Sequence, residues 1–78
     1  MVTAEQIKAA RALLNWGQRE LAAAAGLSVP TIKRVEASRG AIKSTYTTVL
    51  AIERALEKAG IEFIHESGLG VKRAPEAH

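Results

Sequence analysis

The sequence predicts an all-α domain, a compact set of four to five short helices followed by a short β-strand extension. Three observations predict it. Apolar residues recur at helical spacing in successive blocks between Ile7 and Ala59. Each block is bounded by a glycine or a hydroxyl residue where a helix has to stop or start. Alanine is used heavily, which suits close-packed short helices better than a sandwich of strands. The 78 residues allow one small domain. It divides into a helical unit over 1–59 and an extended C-terminal segment with a frayed tail over 60–78.

Thr3-Ala4-Glu5-Gln6 has the form of a capping box, in which Thr3 accepts the amide three residues on and Gln6 reaches back. A first helix follows over residues 4–14, with Ile7, Ala10 and Leu14 on one face, and Asn15-Trp16-Gly17 breaks it. A second helix covers residues 18–25, with Leu21, Ala22 and Ala25 inward and Gly17 at its N-cap. Gly26 stops it, because glycine enters the left-handed region without a Cβ penalty. Ser28 caps a third helix over residues 29–37, and Pro30 falls in its first turn, where a missing N–H costs nothing. Ile32 and Val35 face inward, and Ser38-Arg39-Gly40 closes the helix. Ser44 or Thr45 caps a fourth helix running to Ala59, with Val49, Ile52, Leu56 and Ala59 as its inner stripe. Trp16 reads as an anchor between helix 1 and the rest, and Tyr46 as a core-edge residue. Beyond Gly60, residues 61–65 have strand character, residues 66–70 read as a turn, and residues 71–73 as a return strand.

Composition excludes several functions. A chain that is 47% apolar with a net charge of only +3 has enough aliphatic surface to fold. Without cysteine there is neither a disulfide framework nor a thiolate metal site. No apolar run approaches the ~18 residues of a membrane span. The N-terminus lacks the basic-then-apolar profile of a secretory signal, so the cytoplasm is the expected location. Catalysis finds no constellation. His65 beside Glu66 has too few partners for a metal, and Ser28, Ser38, Ser44 and Ser67 lack an activating His and acid. Gly68-Leu69-Gly70 is too short for a phosphate cradle and opens no helix. No enzyme activity, metal or cofactor is expected.

Charge is distributed unevenly. Residues 1–40 hold six Lys/Arg against three Glu, whereas residues 41–78 hold five of each sign. Lys33, Arg34, Arg39 and Lys43 face only Glu36 in their stretch, a basic cluster that points to a polyanion. The two short helices around Gly26 also have the spacing of a helix-turn-helix. Ala22 lets the third helix cross close over the second, and Leu21, Ile32 and Val35 set the crossing. A helix of about nine residues is ~13 Å long, which fits a major groove ~12 Å wide.

The segment Gln18-Arg19-Glu20-Leu21-Ala22-Ala23-Ala24-Ala25-Gly26-Leu27-Ser28-Val29-Pro30-Thr31-Ile32-Lys33-Arg34-Val35-Glu36 closely resembles the phage-repressor and Cro type of helix-turn-helix, in the xenobiotic-response-element family of bacterial regulators. The resemblance extends over residues 3–58 and implies a lambda-repressor-like fold. It also implies a salt bridge between Arg11 and Glu36, tying helix 1 to the recognition helix. Position by position, it implies that Gln18 meets a phosphate and steadies its neighbours in helix 3, and that Ser28 does likewise at a helix N-terminus suited to anions. Val29, Pro30, Thr31, Lys33 and Arg34 occupy base-facing positions. Arg34 is the residue best suited to bidentate contact with guanine, while Val29 and Pro30 offer only apolar contact, as to a thymine methyl. Arg39 and Lys43 look like backbone clamps, which add affinity without sequence information. Gly17 departs from the usual Ser or Thr cap, and the apolar Val29-Pro30 pair shifts specificity toward Arg34, DNA shape and paired half-sites.

One helix in one groove reads only ~4–6 base pairs, and proteins of this type gain affinity by pairing on half-sites ~34 Å apart. A strand bearing Ile61, Phe63 and Ile64 is an aggregation liability unless covered. A homodimer through this C-terminal strand, with those three residues in contact, is therefore expected. The alternative is a hairpin closed within one chain. The expected function is a sequence-specific, double-stranded DNA-binding transcriptional regulator, a small repressor acting as a homodimer on an inverted-repeat operator. The alternative is a protein-interaction module or antitoxin-like partner binder on the same fold.

Overall fold

Helices in this chain begin where a side chain can take up an otherwise unpaired amide. The computed structural model describes residues 2–38, 44–64 and 70–73. Four helices lie among them: α1 (Ala4–Leu14), α2 (Gln18–Ala25), α3 (Val29–Glu36) and α4 (Tyr46–Lys58). Two strands follow, β1 (Ile61–Ile64) and β2 (Gly70–Arg73). The capping box at α1 is complete: the Gln6 amide donates to Thr3 Oγ1 at 3.2 Å and the Thr3 amide to Gln6 Oε1 at 3.0 Å. Gly17 has no side chain to offer α2, so only the return half of such a box forms, with the Gly17 amide donating to Glu20 Oε1 at 2.8 Å. Ser28 caps α3 by accepting the Thr31 amide, and Thr45 caps α4 by accepting the Thr48 amide.

The first two helices end alike. Asn15 and Gly26 sit in the left-handed region at φ 57° and 68°. The amides that follow fold back, Trp16 onto the Arg11 carbonyl and Leu27 onto the Ala22 carbonyl, both at 2.9 Å. Asparagine can replace glycine at such a position because its short polar side chain tolerates positive φ.

Ile7, Leu21, Ile32, Val35, Val49, Ile52 and Leu56 are fully buried, joined by Val2, Ala10, Ala22, Ala55 and Ile61 in one core. Each large aliphatic contributes ~1.5–3 kcal/mol relative to exposure, and their burial packs α1 against α3 and α4, and α2 against α3 and α4. Two expectations need correction. Ala55 rather than Ala59 completes the inner stripe of α4, Ala59 being half-buried. Tyr46 is not at the core edge but 67% exposed, because it opens α4 a turn before that stripe starts at Val49.

β1 and β2 pair antiparallel with Ile61 opposite Arg73 and Ile64 opposite Gly70. The hairpin that stood as the alternative is thus formed within one chain. A short connection between antiparallel strands costs little closure entropy, and one edge of β1 finds its partner locally. Ile61 enters the core and Phe63 and Val71 pack against it. A Cβ on Gly70 would lie 3.1 Å from Ile64 Cβ, so the missing side chain lets Ile64 lie across the pair. Gln6, 1% exposed, donates from Nε2 to the Gly70 carbonyl at 3.1 Å and to the Ile64 carbonyl at 3.5 Å. One side chain therefore both opens α1 and holds the turn end of the hairpin. His65 and residues 66–69 lie outside the described residues, and Gly70, read as the last residue of a turn over 66–70, opens β2 instead.

Candidate nucleic-acid interface

The spacing of apolar residues along α3 decides which way it faces. Ile32, Val35 and Glu36 are buried and Val29 packs against the core, whereas Pro30, Lys33 and Arg34 are exposed and Thr31 is half-buried. The Val29-Pro30 pair, expected to face bases together, is split: Val29 is partly taken up by the core and Pro30 points outward. The outer face of α3 is then a proline, a hydroxyl and two cations. Gly26 and Leu27 present it directly after α2, whose exposed residues include Arg19.

A buried polar cluster behind α3 holds it in place. Arg11 Nε donates to Glu36 Oε2 and Arg11 Nη2 to Glu36 Oε1, both at 2.7 Å. The third guanidinium nitrogen, Nη1, donates to the Trp16 carbonyl at 3.0 Å. The Arg11 and Glu36 side chains are 19% and 4% exposed, so the bidentate pair is largely withdrawn from water. The hydrogen bond to Glu36 raises the Arg11 pKa above its ordinary range, against the opposing effect of burial and with the help of the opposite charge. The salt bridge implied by the resemblance is present.

Gln18 joins this cluster. Its Nε2 donates to Glu36 Oε1 at 3.1 Å, so α1, α2 and α3 converge on one carboxylate. One amide hydrogen of Gln18 is therefore directed inward onto α3. Half-buried Trp16 packs on the core as expected, and its carbonyl is a further partner of Arg11.

Ser28, at the start of α3, is exposed. Its Oγ lies 2.8 Å from Thr31 Oγ1, to which Arg34 Nη2 donates at 3.3 Å. Between α3 and the start of α4 lies an open depression of about 500 Å3, lined by Thr31, Arg34, Ser44, Thr45 and Thr48. Thr48 was not among the residues expected near the site. The run of hydroxyl residues after Lys43 is the signal that was available. Arg39 and Lys43 lie outside the described residues. Phe63 and Ile64 are half-buried on the hairpin, and Ile61 is engaged in the core. Among the described residues, no helix is long and apolar enough to cross a membrane, and no group of His, Asp or Glu could hold a metal ion.

No curated protein matches the chain in sequence. The helix-turn-helix family matches it over residues 7–63, from the first buried isoleucine of α1 into β1. With α2 and α3 crossing around Gly26 and a cationic outer face on α3, the chain belongs to the helix-turn-helix family of lambda-repressor-like, DNA-binding transcriptional regulators.

Proposed function

We propose that this regulator is a small cytoplasmic repressor that reads double-stranded DNA by placing α3 in the major groove. The observation that carries the reading is the division of α3 into a fixed inner face and a free outer one. Glu36 ties the helix to Arg11 and Gln18, while Lys33 and Arg34 face solvent. A helix held from behind can present its outer side chains to base edges at a defined angle. In this reading Arg34 is the principal base reader, with Thr31 and Lys33 beside it and Pro30 in apolar contact. Ser28 and Gln18 meet phosphates, and Arg39 and Lys43 act as backbone clamps.

Eight residues of α3 span only ~12 Å, enough for part of one groove turn. Action as a homodimer on an inverted repeat follows from that limit. The pairing surface is proposed at the C-terminal segment. Ile61 is engaged in its own core, so Phe63, Ile64 and the edge of β1 away from β2 are what remain for a second copy.

Selection of duplexes from a random pool at about 0.15 M salt, where exposed charge is screened beyond ~8 Å, tests this directly. An enriched inverted repeat of fixed spacing is the expected result. Recovery of unenriched DNA, or of none, overturns sequence reading and shifts the function to a protein partner.

A further inference from the structure

Ser28, Thr31 and Arg34 follow one another at three-residue intervals along one side of α3, where successive turns bring side chains into contact. Their hydrogen bonds form a continuous path. A guanidinium only donates, so Arg34 Nη2 gives its hydrogen to Thr31 Oγ1 at 3.3 Å. Ser28 Oγ lies 2.8 Å from Thr31 Oγ1, where either hydroxyl can donate, and the neighbouring positive charge favours Thr31 as the donor. Ser28 Oγ also accepts the Thr31 amide at 3.2 Å. With Thr31 as that donor, both lone pairs of Ser28 are in use and its one hydroxyl hydrogen points outward. A phosphate oxygen, which only accepts, is the complementary partner.

We propose that Thr31 is a positioning residue that aims the Arg34 guanidinium along α3 and orients the Ser28 hydroxyl toward a DNA phosphate, so that base reading and phosphate anchoring are coupled through one side chain. The inference rests on the reading of α3 as the base-contacting helix. It deepens that reading by assigning part of Arg34's selectivity to the neighbouring Thr31. An arginine already held at one nitrogen gives up less rotameric freedom when it docks, and its remaining donors keep the planar fork that guanine requires.

The test uses the full chain and a duplex selected by the wild-type protein, together with versions of that duplex changed at one base pair at a time. Arg34→Ala is expected to flatten discrimination at one position. Thr31→Val keeps the shape of the side chain and removes only the hydroxyl. It is expected to lower discrimination at that same position roughly three- to ten-fold, the range of one hydrogen bond. Affinity for a mixed-sequence duplex should also fall, roughly two- to ten-fold, because the Ser28 hydroxyl loses the partner that orients it toward phosphate. Thr31→Ser should restore discrimination, and Thr31→Val should add nothing in the Arg34→Ala background.

If Arg34→Ala flattens one position and Thr31→Val leaves it intact, the positioning role is wrong and the reading of α3 stands. If Thr31→Val has the same effect with and without Arg34, Thr31 contacts DNA on its own account and the coupling is refuted. If Arg34→Ala changes no position, Arg34 is not the reader and both statements fall.

Discussion

Two buried polar residues hold the two ends of this domain together, and they do so by different chemistry. Glu36 sits behind α3 and joins α1, α2 and α3 through a bidentate arginine and an amide. Gln6 sits at the start of α1 and joins it to the hairpin through carbonyl oxygens. The first junction uses charge, so its stability depends on both partners being present. The second uses a neutral amide, whose loss leaves only unmet hydrogen bonds. Charge is thus used where three helices meet on α3, and neutral bonding where the hairpin docks on α1.

Substitution separates the two junctions by size. Arg11→Ala leaves the nearly buried Glu36 carboxylate with only Gln18, and should cost ~3–5 kcal/mol, toward the lower end because Arg11 itself retains some exposure. For a domain with a total stability of ~4–12 kcal/mol, a urea melt should show a shift of much of the transition. Replacing Arg11 and Glu36 together by apolar residues of similar volume should cost less than Arg11→Ala alone. A double replacement as damaging as the single one would mean that shape, not charge, makes the junction.

Gln6→Ala should cost ~1–3 kcal/mol, the desolvation penalty of buried groups left without a partner. Its effect should also be local. Amide hydrogen exchange is expected to speed up in β1 and β2 while α3 keeps its protection. Uniform loss of protection across the chain would show that the hairpin is not a separable unit.

Gly70→Ala is the smallest change, adding one methyl 3.1 Å from Ile64 Cβ and 3.3 Å from Ile64 Cδ1. Ile64 is half-buried and can shift, so a loss of about 1 kcal/mol by thermal melt is expected. A neutral or stabilising result would place no weight on the contact between Ile64 and Gly70.

The same comparison explains what the sequence made legible. The glycine and hydroxyl punctuation around α2 and α3 is local, because caps and stops act over three or four residues, and those two helices lie where the spacing put them. Arg11 and Glu36 pair across 25 positions. No periodicity links them; the resemblance to repressor-type regulators supplied the pairing. Gln6 was legible only in its local role. Its bond to Gly70 joins residues 64 apart and depends on how the hairpin docks, which no local pattern encodes. Residues 61–65 read as strand, but their partner was open, because strand character specifies pairing without specifying which edge. Tyr46 shows the reverse error: it read as a core-edge residue, and its register on α4 put it outside.

The central claim is that the α3 end of the domain meets DNA and the hairpin end does not. The most direct measurement is a backbone amide shift titration of the labelled protein with a mixed-sequence DNA duplex, since phosphate contacts need no particular sequence. The account predicts changes concentrated at residues 18–20 and 28–34 and at Arg39 and Lys43, with residues 61–64 and 70–73 left in place. Changes centred on the hairpin, or none anywhere on α3, would contradict it.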